Sequence, residues 1–175
     1  MHVLVVYESM YGNTAAVAAA IAEAIGEDAV AVEAGAAPHV LPADVELLVV
    51  GGPTHAHGMS VPSTRDDAAG RVSQPTLSRG GYGIREWIAD LRADRSLLFA
   101  TFDTRIKGPK LLWGSAAESA AKALTAAGHR PALAPTSFLL DGMFGSPYGR
   151  IPASEIERAR AFGARLVDCL PIPTR

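Results

Sequence analysis

Residues 8–14, Glu8-Ser9-Met10-Tyr11-Gly12-Asn13-Thr14, bring hydroxyls, an amide and a single glycine together in one short stretch. They separate a continuous apolar run, residues 3–6 closed by Tyr7, from a stretch dominated by alanine. An apolar run without alternation suits a parallel strand covered on both faces. From Ala15 onward, Val17, Ile21 and Ile25 fall on one face of a helix. A strand, a polar loop and a helix start aim unpaired backbone N–H groups and the positive end of the helix dipole into the loop. The Ser9 and Thr14 hydroxyls, with the N–H groups of Met10, Tyr11, Gly12, Asn13 and Thr14, can wrap a terminal phosphate without a lysine. The same residue types also serve as plain helix caps. A P-loop is excluded because no lysine precedes Lys107, and a dinucleotide fingerprint because this turn holds one glycine.

Two further polar stretches follow apolar runs. Residues 45–50 (VELLVV) lead into Gly51-Gly52-Pro53-Thr54-His55-Ala56-His57-Gly58-Met59, and residues 95–102 (RSLLFATF) lead into Asp103-Thr104-Arg105-Ile106-Lys107-Gly108-Pro109-Lys110. Ligands of open α/β sheets bind beyond the carboxyl ends of the strands, so three such loops form one candidate site. His55 and His57, two apart with no cysteine or acidic neighbour until Asp66, are not expected to hold a metal. Phe102 and Trp113 are expected to pack in the core. No Ser-His-Asp order or carboxylate pair supports hydrolysis, and no catalytic residue is identified.

The elements that must position these loops alternate along the chain. Residues 28–34 alternate and suit a strand near the sheet edge, 35–42 is a loop without a helical pattern, and 61–83 is the longest irregular segment. Helices are expected over 84–91, over 115–127 with Gly128 as the stop, and over 154–170, and 131–140 contains the last strand. The alternation reads as an α/β fold with a doubly wound parallel sheet of five strands. Five helices are expected if a short one follows the second strand.

The pattern of Tyr7, Ser9, Gly12 and Thr14, continued by Ala18 and Ile21, resembles the phosphate loop of the flavodoxin-like family. The start Gly52-Pro53-Thr54 is similar to the ring-flanking loop of quinone-reductase-like relatives, and the resemblance covers nearly the whole chain in order. It implies strand order 2-1-3-4-5 with helices on both faces, and FMN as cofactor. Residues 9–14 would then hold the 5′-phosphate. Pro53, Thr54, His55, Ala56, His57 and Gly58 would form one wall of the ring site, and Thr104, Arg105, Ile106, Lys107 and Gly108 the other. Arg105 or Lys107 would lie near the N1–O2 region and favour the negative charge of a reduced flavin. The chain departs from the family in two places. Its second loop offers His55, His57 and Met59 where relatives carry stacking aromatics. In the last loop Gly142, Gly145 and Pro147 match, and Tyr148-Gly149-Arg150-Ile151 does not.

At 175 residues, with 49% hydrophobic residues, the chain is expected to form a single domain over 1–175. No apolar run is long enough for a membrane span, the start lacks a signal-peptide pattern, and the one cysteine, Cys169, cannot form an internal disulfide. A cytoplasmic location is the expectation that follows. A net charge of −2 gives no case for nucleic acid, and it lacks the acidic excess by which electron-carrier flavodoxins steer to basic partners. The reading is a flavin redox protein. It is either a carrier serving a redox partner protein or a small reductase passing hydride from NAD(P)H to a quinone-type acceptor. The other reading is a flavin-free binding or regulatory module on the same fold.

Overall fold

The computed structural model describes residues 3–55, 58–70, 82–108, 114–142 and 149–170. The elements run β1 (Val3–Tyr7), α1 (Asn13–Ile25), β2 (Ala29–Glu33), β3 (Leu47–His55), β4 (Gly58–Met59), α2 (Pro62–Gly70) and α3 (Ile84–Asp90). They continue with β5 (Leu98–Ile106), α4 (Ala116–Ala126), β6 (Arg130–Pro131), β7 (Thr136–Leu140) and α5 (Ala153–Val167). The parallel sheet has the order β2-β1-β3-β5, with β6 and then β7 along the outer side of β5. The five expected places are therefore filled in the order 2-1-3-4-5, the fifth by two short strands in succession. Strand β4 adds an antiparallel pair to the end of β3, matching Thr54 with Met59 and His55 with Gly58.

The apolar run of β1 is central because it must be covered twice. Val3 and Val5 pack with α1 and α5 on one face, while Leu4 and Val6 pack with α3 and α4 on the other. Helices α1 and α5 approach closely at Gly163, where a Cβ would sit 2.5 Å from the Ile21 carbonyl oxygen. Among the described residues no helix is long and apolar enough to cross a membrane.

Two local expectations change, and a third, the loop over 35–42, is met. Strands β3 and β5 run on through stretches that read as loops, because Gly51 pairs with Phe102, Pro53 with Thr104, and residues 102–106 pair with β7. The glycine doublet is a packing solution: a Cβ on Gly51 would lie 2.0 Å from Phe102 Cζ, and one on Gly52 would lie 2.6 Å from Ile84 Cδ1. Second, the irregular segment 61–83 begins with helix α2. Pro62 occupies its first turn, and Thr64 Oγ1 accepts the Val61 N–H at 3.0 Å. Third, residues 34–46 carry no helix between β2 and β3. That connection turns at once, with the Ala36 and Ala37 N–H groups both bonded to the Glu33 carbonyl.

Candidate functional site

The ends of β1, β3 and β5 close around one cavity of about 160 Å3. Its wall is built by Ser9, Met10, Tyr11, Asn13 and Thr14, by Pro53, Thr54 and His55, and by Thr104, Arg105 and Ile106, with Leu140 and Gly149 completing it. Three segments far apart in sequence thus meet where the topology puts them. Gly12, Gly58, Lys107 and Gly108 do not line the cavity, and Ala56 and His57, like Trp113, lie outside the described residues.

The first segment is shaped by Gly12, whose φ of 85° lies in the left-handed region that glycine enters at least cost. Gly12 precedes α1 without a side chain to cap it, and Ser9 takes over: its Oγ accepts the Ala15 N–H at 3.2 Å. Asn13 and Thr14, the first two helical residues, have N–H groups with no partner inside the helix. Ser9 and Thr14 are both buried, and Thr14 Oγ1 lies 2.8 Å from Thr104 Oγ1. The Asn13 amide is used differently from the expectation. Its Nδ2 donates to the Gly149 carbonyl at 2.7 Å and its Oδ1 accepts the Ile151 N–H at 2.9 Å, tying the last loop to the first.

Among the described residues no carboxylate lines the cavity, and Arg105 is the one permanently charged group on its wall. Arg105 Nη1 donates to the Gly108 carbonyl at 3.1 Å, whereas its Nε is buried with no hydrogen-bond partner among the described residues. A buried guanidinium N–H without an acceptor is costly unless a ligand supplies one. Lys107 turns outward to Asp141 at 3.2 Å, with both side chains exposed. Of the two expected cations, Arg105 is the one on the wall. His55, half-buried on the same wall, has its pKa lowered by burial and then by the charge of Arg65, with Asp67 opposing. Both effects favour the neutral imidazole. Among the described residues no group of three or more His, Cys, Asp or Glu is placed to hold a metal.

Sequence reasoning missed the buried polar network behind the first loop. Glu8, fully buried, accepts from Ser60 Oγ at 2.5 Å and from the Ile84 N–H at 3.1 Å. Arg65, 1% exposed, donates to Ser60 Oγ at 2.7 Å and pairs with Glu86 at 2.9 Å, and Glu86 also accepts the Gly83 N–H. Burial pushes Glu8 above the usual carboxylate pKa, against the pull of Ser60, the Ile84 N–H and Arg65. Burial would raise Glu86 as well, but the Arg65 bond, the backbone N–H groups and the Arg65 charge outweigh it and lower its pKa. The network fixes α2 and α3 to the end of β1, and Tyr11 adds a bond from its hydroxyl to the Ala68 carbonyl at 3.1 Å. A second unforeseen cluster caps α4. Asp103 accepts from Ser115 Oγ and the Ala117 N–H, while Thr54 Oγ1 accepts the Ala116 N–H at 2.9 Å. A polar residue directly after a buried strand was the only signal for Glu8, and Pro62 the only signal for the helix that carries Arg65.

No family model matches the chain, and no curated protein matches it. Its fold is similar to that of a flavodoxin from the domain Archaea, at 16% identity and TM-score 0.63, covering 96% of this chain and 97% of that one. It is also similar to the flavodoxin of Streptococcus pneumonia TIGR4, at 15% identity and TM-score 0.63, covering 96% and 99%. A WrbA-like flavodoxin protein from Agrobacterium tumefaciens aligns at 19% identity and TM-score 0.52, covering 95% of both chains. The fold is flavodoxin-like, as the sequence resemblance implied.

Proposed function

We propose that this chain binds FMN and acts as a flavin redox protein. The observation that carries the reading is a cavity at the carboxyl ends of β1, β3 and β5 that, among the described residues, has hydroxyls and a helix start on one side, a buried Arg105 Nε without a partner on the other, and no carboxylate. That donor set suits a phosphate ester. Ser9, Thr14 and the N–H groups of residues 10–14 hold the phosphate in this reading, Thr104 buttresses Thr14, and Arg105 supplies a fixed positive charge. At about 160 Å3 the cavity takes the phosphate end of FMN and leaves the ring outside it, against the ends of β3 and β5. When bound, the flavin supplies the electron or hydride transfer, while the chain binds, orients and tunes it.

The net charge of −2 supports a reductase fed by NAD(P)H, with a quinone-type acceptor, over a carrier that docks on a basic partner protein. The free thiol of Cys169 supports a cytoplasmic location. One observation favours a second reading, a flavin-free binding module: the cavity is small and the β3 end contributes His55 where an aromatic would stack. Purification separates the two. The flavin reading expects a yellow protein that releases FMN on denaturation, or a colourless one that stays yellow after incubation with FMN and removal of the unbound flavin by gel filtration. A protein that is colourless after that step contradicts it and leaves the second reading.

A further inference from the structure

We propose that His55 takes up a proton when an anion enters the cavity beside it, so that anion binding strengthens as pH falls. The proposal rests on the anion-site reading of the cavity, and it assigns His55 a role distinct from ring stacking. His55 shares one wall system with Ser9, Thr14 and Arg105. Its backbone is pinned at the end of β3 by pairing with Gly58, so the imidazole is held at the cavity.

Among the described residues, the charged and titratable groups around His55 come from three elements. Arg105 faces the cavity from β5, Tyr11 lines it from the first loop with its hydroxyl on the Ala68 carbonyl, and Arg65 and Asp67 act from α2. Among these described groups two guanidiniums face one carboxylate, and Arg65 cannot retreat because Ser60 and Glu86 hold it in place. An imidazolium there is disfavoured by partial burial and by Arg65. A dianion in the same cavity reverses that balance, since an opposite charge a few ångströms away raises an imidazole pKa by about one unit or more. The proton comes from solvent, adds to the free ring nitrogen and leaves with the anion. Linkage is reciprocal, so protonation tightens the anion by the same factor by which the anion raises the pKa.

Sulfate is the probe, because its charge does not change across the neutral range and any pH dependence then belongs to the protein. The His55 ring is titrated by NMR in sulfate and in chloride of equal ionic strength, while the backbone amides of Ser9 to Thr14 report occupancy. The proposal expects sulfate to move those amides and to raise the His55 pKa by about one unit. It also expects the sulfate Kd to weaken by about tenfold in all as pH rises from below both pKa values to above them. His55→Gln should bind sulfate with a Kd independent of pH, and His39→Gln, an exposed histidine bonded to Tyr82 and off the cavity lining, should keep the wild-type slope. Sulfate binding at Ser9 to Thr14 with an unmoved His55 pKa overturns the proposal, as does a slope that survives in His55→Gln or an absence of sulfate binding there. FMN is titrated separately. If FMN fails to bind while sulfate still moves His55, the flavin reading falls and the proton coupling stands.

Discussion

The hydroxyl oxygens of Thr14 and Thr104 lie 2.8 Å apart, both buried, although the residues are separated by 90 positions. This bond joins the start of α1 to the end of β5 and makes one wall from two of the segments around the cavity. Thr104→Val would leave the Thr14 hydroxyl buried and unpaired, a loss of about 1–3 kcal/mol. Adding Thr14→Val removes the orphan, so the double variant should lose less than the sum of the two single ones. Urea unfolding with unchanged slopes measures this, and additive losses would mean the bond does not form.

Gly51→Ala should destabilise the protein by about 1–3 kcal/mol, because the new Cβ would overlap the Phe102 ring. Phe102→Leu in the same chain should recover part of the loss. A Gly51→Ala protein as stable as wild type would contradict the close pairing of β3 with β5.

Glu8 gives stability a pH dependence with a defined sign. Its folded pKa is raised above the ordinary 4.5, so the native state holds its proton where the unfolded chain has released it. The contribution is complete below 4.5 and is lost as pH rises through the folded Glu8 value. Glu86 acts in the opposite sense with its lowered pKa: its contribution is present above 4.5 and is lost as pH falls through its folded value. The two windows lie on opposite sides of 4.5, and Glu8→Gln should flatten only the upper one. Urea midpoints across the acid range, compared between wild type and Glu8→Gln, check both the sign and the residue.

Arg105 and Lys107, equivalent in the sequence, are not equivalent in the fold. Arg105 is on the cavity wall, while Lys107 is exposed and paired with Asp141. In the FMN-loaded protein Arg105→Ala should lower the potential at which the second electron is accepted, because a nearby cation favours the reduced anion in a partly screened cleft. Lys107→Ala should leave that potential unchanged. A redox titration in which the two variants behave alike would remove Arg105 from the tuning role.

Much of the fold was legible because it depends on periodicity. The unbroken run at 3–6, the alternation in β2, the stop at Gly128 and the amphipathic α5 each declare themselves locally. The convergence of residues 9–14, 53–55 and 104–106 was legible too, because strand ends in such a sheet share one side. Strand lengths were not, since β5 continues to Ile106 only because β7 lies beside it. Helix α2 was hidden because it is mostly polar and is held by Arg65 and Tyr11 more than by an apolar face. The use of the Asn13 amide was hidden for the same reason: its partners, Gly149 and Ile151, lie far along the chain.

The central claim, that the loop from Ser9 to Thr14 holds the phosphate of FMN, is tested most directly by titrating FMN and riboflavin, which differ only in that phosphate, into the wild-type protein and Thr14→Val. The account predicts that FMN binds wild type at least about tenfold more tightly than riboflavin does, a difference of roughly 1.4 kcal/mol or more. It also predicts that Thr14→Val weakens FMN by about 1–3 kcal/mol while leaving riboflavin unchanged. Equal affinities for FMN and riboflavin, or an FMN affinity untouched by Thr14→Val, would contradict it.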